Sequence, residues 1–190
     1  MGRVFITFDW QRTCDGFVQA TGKSEESVVS ALDAVYHPYE RGHISTDELV
    51  VRLNSNLGTQ LSRMDFARLW TATLSEDLEM TQLMRSLKEK YPLYLLSNNN
   101  ETSFSFVEEN YNVSQYFDEM VLSYKIGHMK PDAAIYHEVL NRSQIPAQHC
   151  LFIDDLAENI EGAKTVGMHG IQFTGITDLR SKLTDFGITI

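Results

Sequence analysis

The sequence predicts a doubly wound α/β fold: a parallel β-sheet with helices on both faces, and a small all-helical cap inserted after the first strand. Three observations carry this. Short, nearly continuous apolar runs recur at residues 3–8, 93–97, 120–124, 150–153 and 170–173. A run without polar alternation suits a strand buried on both faces of a sheet. Between the later runs lie segments with apolar residues at helical spacing, and strands alternating with helices build parallel sheets. The stretch from Ser24 to Leu74 is helical in pattern throughout and contains no strand.

The elements follow in order. Residues 3–8 read as the first parallel strand, and Asp15-Gly16 as a tight turn behind it. Ser24 precedes an acidic first turn and the spaced residues Val28, Val29, Leu32 and Val35. Ser45-Thr46-Asp47-Glu48 is a capping box opening a helix with Leu49, Val50 and Leu53. Ser62 opens another, with Phe66, Leu69 and Trp70. Met80, Leu83, Met84 and Leu87 mark one face of a helix before the second strand, and Phe104 to Tyr111 form the helix after it. Asp132 opens a helix with Ile135, Tyr136, Val139 and Leu140. A last helix at 156–166 ends at Gly167. The core is therefore expected from 1–13 and 78–190, and the cap from 14–77.

A chain of 190 residues fits one domain with a modest insertion. Its 43% hydrophobic and 22% charged content is ordinary for a globular protein. The net charge of −10 argues against a general nucleic-acid binder, whose surface would be basic. Any phosphate ligand therefore needs local positive charge to offset the field. Cys14 and Cys150 form no CxxC pattern, and the histidines do not cluster with them, so zinc is not expected and a reduced, cytoplasmic chain is. No apolar stretch reaches membrane-span length, and the first strand starts too early to leave room for a signal peptide. Neither nucleic acid nor membrane is expected as a partner. Nothing in the chain sets an oligomeric state, and a monomer suffices.

Polar residues end the apolar runs. Asp9 follows the first, Ser97 and Asn98 end the second, and Asp154-Asp155 follow the fourth; Lys130 lies in the loop Gly127–Asp132. In open α/β sheets ligands bind at the carboxyl ends of the strands, so these residues can converge on one crevice. A carboxylate at the end of a wholly apolar strand is expensive to desolvate unless something positive meets it. From position alone Asp9 reads equally as a cap of the following turn or helix. Capping of the next helix explains one of Asp154 and Asp155, but not both. Clustered carboxylates at such a cleft suit Mg²⁺, which takes oxygen ligands and keeps waters for a substrate phosphate.

Taken together, these segments resemble the haloacid dehalogenase superfamily of aspartate-nucleophile phosphatases. Phe8-Asp9 with Thr13, Leu95-Leu96-Ser97-Asn98, Lys130-Pro131 with Ile135-Tyr136, and Phe152-Ile153-Asp154-Asp155 with Asn159 and Gly162 are similar to its four motifs, in order. The wording is nearest the branch of sugar-1-phosphate phosphatases and the phosphatase domain of soluble epoxide hydrolases. The resemblance implies a Rossmann-like core and a Mg²⁺-dependent phosphatase for a small phosphorylated metabolite, such as a sugar phosphate. Asp9 would be the nucleophile, forming an aspartyl-phosphate. Asp9, Asp154, Asp155 and the Gln11 carbonyl would hold Mg²⁺. Ser97, Asn98 and Lys130 would grip the phosphoryl group. Gln11 stands where the family usually carries an acid/base aspartate, and an amide cannot titrate in the useful range. This implies a substrate with an easily departing leaving group, or else an impaired relative that only binds a phosphorylated ligand or partner. A dehalogenase is disfavoured by Asp154-Asp155. Tyr39, Arg41, His43 and Trp70 are the cap residues considered for specificity, with Trp70 read as core.

Overall fold

Leu95 and Leu96 point to opposite sides of their strand, as successive strand residues must, and each joins a different apolar layer. In the computed structural model, which describes residues 1–190, Leu95 packs with Met80, Leu83, Met84, Leu179 and Leu183. Leu96 packs with Ile135, Tyr136, Val139, Ile160 and Ala163. The next strand repeats the division, Val121 facing one layer and Leu122 the other. Helices therefore cover both faces of a parallel sheet, the doubly wound arrangement expected.

The elements are β1 (Ile6–Thr7), α1 (Trp10–Thr21), α2 (Glu25–Glu40), α3 (Thr46–Leu57), α4 (Arg63–Thr71), β2 (Ser75–Glu76), α5 (Leu78–Lys88) and β3 (Tyr94–Ser97). They continue with α6 (Glu101–Tyr111), β4 (Glu119–Leu122), α7 (Ser123–Ile126), α8 (Ala133–Ser143), β5 (Leu151–Asp154), α9 (Ala157–Thr165), β6 (His169–Gln172) and α10 (Ile176–Asp185). β3 pairs in parallel with β4, Tyr94 opposite Glu119 and Ser97 opposite Leu122. β5 pairs in parallel with β6, Leu151 opposite His169 and Asp154 opposite Gln172. The two pairs do not hydrogen-bond to each other.

Two expectations need correction at the amino end. Residues 3–8 are not a parallel strand of this sheet. Residues 3–5 form a turn, with Arg3 in the left-handed region at φ 60°. Only Ile6–Thr7 is extended, and it pairs antiparallel with Ser75–Glu76. Phe5 and Ile6 satisfy their apolar character by burial in the α5–α10 layer instead. The β1–β2 ribbon thus forms the two-chain neck through which the polypeptide enters and leaves the helical layer. Asp15-Gly16 is likewise no turn but lies inside α1, where Gly16 packs near Leu69. α10 is an element that the sequence reading did not assign.

The helices α1–α4 bury a core of their own, with Phe17, Leu32, Leu49, Leu53, Phe66 and Trp70 among its members. Their starts are set locally. Ser24 accepts the Ser27 N–H, and both Ser45 with Glu48 and Ser62 with Asp65 form reciprocal capping boxes. Buried side chains join this layer to α6 and to the residue that follows β4. The Tyr39 hydroxyl lies 2.8 Å from Thr46 Oγ1 and 2.6 Å from Thr102 Oγ1, and Trp70 Nε1 donates to Ser103 Oγ at 2.9 Å. Ser123 Oγ donates to the Glu40 carbonyl at 2.6 Å.

Gly42 sits at this junction with φ +68°, and a Cβ there would fall 2.0 Å from the Tyr124 carbonyl oxygen. Both the conformation and the space exclude a side chain. Gly42→Ala is expected to lower stability by about 2 kcal/mol or more, measured by urea unfolding.

Candidate functional site

The site is built around a buried ion pair. Asp154 ends β5 and Lys130 precedes α8; their side chains are each 5% exposed, and Lys130 Nζ lies 2.6 Å from Asp154 Oδ2. Burying two charges costs several kcal/mol per ion unless every remaining lone pair and proton is matched. The surroundings do this for the aspartate, whereas the ammonium's one hydrogen-bond partner is Asp154 itself. Asp154 Oδ1 accepts from Asn159 Nδ2 at 2.8 Å and from the Leu156 N–H at 3.0 Å. Burial pushes the Asp154 carboxyl up, but the Lys130 charge and these hydrogen bonds overcome it and hold the group below its usual range. The Phe152 ring lies 5.5 Å from the ammonium.

Asn98, just beyond β3, fixes the lysine's backbone from both sides. Its Nδ2 donates to the Lys130 carbonyl at 3.0 Å, and its Oδ1 accepts the Lys130 N–H at 2.8 Å. Ser97 is buried at the end of β3 with its hydroxyl donating to the Asn98 carbonyl at 3.1 Å. Ser123 Oγ accepts the Asn99 N–H at 2.9 Å, which ties this loop to the end of β4. Gly162 lets α9 close on the lysine loop: a Cβ there would lie 2.8 Å from the Pro131 carbonyl oxygen. The structure thus brings together Ser97, Asn98, Lys130 and Asp154, with Asp155 beside them.

Asp9 and Gln11 are elsewhere, and the expectation that they face Asp154 is corrected. Asp9 is exposed and caps α1, its Oδ1 accepting the Arg12 N–H at 2.9 Å. It borders a different surface cavity, with Thr7, Arg12, Thr73 and Ser75. Gln11 is exposed and donates to Asp15 at 3.2 Å and Glu25 at 2.8 Å. The leaving-group argument attached to Gln11 lapses with its position. The cause is the turn at residues 3–5, which sends the chain into the neck instead of along the sheet. Met1 stands in the site in place of Asp9. Its α-amino group is buried among Lys130, Asp154 and Asp155; burial, reinforced by Lys130, lowers its pKa to about 5. Asp155 is half-buried, and its one ion-pair partner is Arg3 at 4.0 Å.

No three His, Cys, Asp or Glu side chains converge on a possible metal position. The set Asp9, Gln11, Asp154 and Asp155 is therefore not assembled. Mg²⁺ accepts a sparser set, one or two carboxylates completed by water and substrate phosphate, and Asp155 beside Asp154 fits that pattern.

Glu40 is a site neighbour that sequence reasoning missed. It ends α2 and is 6% exposed. Burial raises its carboxyl to about 7 despite opposing contributions from Tyr36 and Lys130. A glutamate closing an amphipathic helix looks like a solvated residue, so no local pattern marks it. Of the cap residues considered, Arg41 pairs with Asp132 at 3.1 Å, His43 is exposed, and Tyr39 and Trp70 are core.

A parallel core under a helical cap, with a buried lysine–aspartate pair at the strand ends, defines a capped α/β hydrolase. Comparison with known proteins places it further: residues 19–167 match the haloacid dehalogenase-like hydrolase family, and the chain belongs to that family. Asp9 and Gln11 lie ahead of the matched region. A D-ribitol-5-phosphate phosphatase of Bacteroides thetaiotaomicron is 30% identical, over 96% of this chain and 93% of its own. A sesquiterpene phosphatase of Aspergillus oryzae is 29% identical, over 89% and 85%. A haloacid dehalogenase family enzyme of B. thetaiotaomicron, solved with magnesium and inorganic phosphate, superposes with a TM-score of 0.83 at 28% identity, covering 90% of each chain. No helix is long and apolar enough to cross a membrane.

Two outcomes are expected. Lys130→Ala strands Asp154 and should destabilise the fold by roughly 3–5 kcal/mol, whereas Lys130→Met with Asp154→Leu should cost less than the two single changes added together, in chemical unfolding. Because the fold favours neutral Glu40, its contribution is complete below about pH 4.5 and lost as pH rises through about 7. Glu40→Gln should therefore gain thermal stability relative to wild type across that window, and a pH-independent difference would refute the assignment.

Proposed function

We propose that this hydrolase is a phosphatase for a small phosphorylated metabolite of about sugar-phosphate size. The observation that carries the reading is the buried Lys130–Asp154 pair at the strand ends, clamped by Asn98 and flanked by Ser97. In this reading Lys130, held in place by Asp154, neutralises a phosphoryl oxygen. The Ser97 hydroxyl and the Asn98 backbone N–H supply further donors. Phosphoryl transfer is largely a matter of positioning and charge stabilisation, which these groups supply. The family match, the relatives named as phosphatases and the related structure with magnesium and phosphate support it. Mg²⁺ is assigned to Asp155 with Asp154, where it would offset phosphate charge in an acidic protein. In this reading Glu40, at the junction of cap and core, would accept hydrogen bonds from substrate hydroxyls.

A second reading has one observation in its favour. Asp9, the carboxylate assigned to attack phosphorus, caps a helix instead, so the site as it stands is better equipped to hold a phosphorylated ligand than to cleave it.

Phosphate release from p-nitrophenyl phosphate separates the two. A phosphatase should show Mg²⁺-dependent turnover that falls at least about 10²-fold in Lys130→Met. Asp9→Asn should change turnover by no more than about threefold, since a cap acts through stability. If turnover is absent but inorganic phosphate raises the melting temperature of wild type and not of Lys130→Met, the binding reading stands. Failure of both responses overturns both.

A further inference from the structure

A cavity of about 310 Å³ separates the two strand pairs. One wall is Tyr94–Leu96 of β3, and the other is Leu151–Ile153 of β5. Met84 and Leu183 line one side, Val139 the other, and Met1 also borders it. Directly paired strands lie about 4.8 Å apart and leave no such space. Each of these strands has a ladder on its outer edge alone, β3 with β4 and β5 with β6. Outside those ladders no hydrogen bond reaches the backbone of residues 94–96 or 151–153. The two inner edges therefore face each other across an apolar gap with their peptide groups unpaired. Buried backbone groups are rarely left so, because each costs free energy comparable to a lost hydrogen bond. A small apolar ligand would fill the volume but could not pair with these groups, whereas a polypeptide strand does both.

We propose that this gap is a strand-acceptor slot, and that its occupant is an extended apolar segment of about four to six residues joined to the amino end of Met1. The direction follows from the geometry. The carboxyl ends of β3 and β5 meet at one place, since Asn98 holds Lys130 and Lys130 holds Asp154. Met1 lies at that same place, beside Lys130, Asp154 and Asp155. A segment joined ahead of Met1 ends there too, and so runs back through the slot parallel to both neighbours. Its inclusion would unite the two pairs into one continuous sheet. The buried α-amino group, whose charge the surroundings disfavour, would become a neutral amide. Because the slot lies between helices on both faces, the segment should be apolar at successive positions rather than alternating. The inference rests on the sheet and is independent of whether the site cleaves phosphate esters.

The test adds Val-Ile-Val-Ile-Val ahead of Met1 and, for comparison, Val-Pro-Val-Pro-Val, whose prolines remove every N–H donor on one side of the strand and so prevent it from joining both neighbours. A free Val-Ile-Val-Ile-Val peptide is also added to the unextended chain. The joined segment should slow amide hydrogen exchange at Leu95, Leu96, Phe152 and Ile153 by at least about tenfold and raise the melting temperature by about 5 °C or more. The proline version should do neither. Unchanged exchange and melting with the joined segment, or equal protection from the proline version, overturns the slot. Protection by the free peptide alone overturns the assignment to a segment joined at Met1.

Discussion

The contact between Lys130 and Asp154 organises this protein. Two opposite charges buried at 2.6 Å are stable only if other polar contacts offset their lost hydration, and neighbouring segments supply these for the aspartate and fix the lysine backbone. Asn98 gives both ends of its amide to the lysine backbone, while Asn159 and the Leu156 N–H take the second aspartate oxygen. These contacts come from β3, from the loop before α8, and from β5 with α9. The approach of α9 needs Gly162, because a side chain there would strike Pro131. The pair is thus a structural knot as well as the centre of the proposed phosphate site. In a chain of net charge −10 the proposed function also requires it to hold one cation for the phosphate.

The cap is linked to this knot by shared polar contacts rather than by a common apolar core. Ser123 bonds both Glu40 of the cap and the loop after β3, and Tyr39 bonds Thr102 at the start of α6. Changes in the cap are therefore felt at the ends of β3 and β4, where the site's donors sit. Glu40 gains its unusual protonation from this placement: burial against the core outweighs the hydrogen bond from Tyr36 of its own helix and the charge of Lys130.

Much of this was legible along the chain. The runs around Leu95, Val121 and Phe152 are apolar at every position because both faces of their strands are covered, and they mark three of the parallel strands to within a residue or two. Ser45 and Ser62 start their helices as their capping boxes specify, since those hydrogen bonds close within four residues. Ser97, Asn98 and Asp154 meet because each ends or follows a parallel strand, and the loop before α8 brings Lys130 to them. Asp9 illustrates the opposite case. Cap and strand-end carboxylate were equal readings from its position, and the cap is what the fold selects.

The sequence by itself determined which apolar residues are buried, where most helices begin, and which polar groups lie at strand ends. Each of these is a property of a few neighbouring residues, set by side-chain periodicity and short-range hydrogen bonds. Tertiary structure alone decided that Val4 to Phe8 would bend into the neck of the cap, that Glu40 would face the site, and that β3 and β5 would stand apart. An apolar run records that its side chains avoid water. It carries no record of the partner against which they do so, because strand pairing joins residues far apart in the chain and is settled by the whole sheet at once.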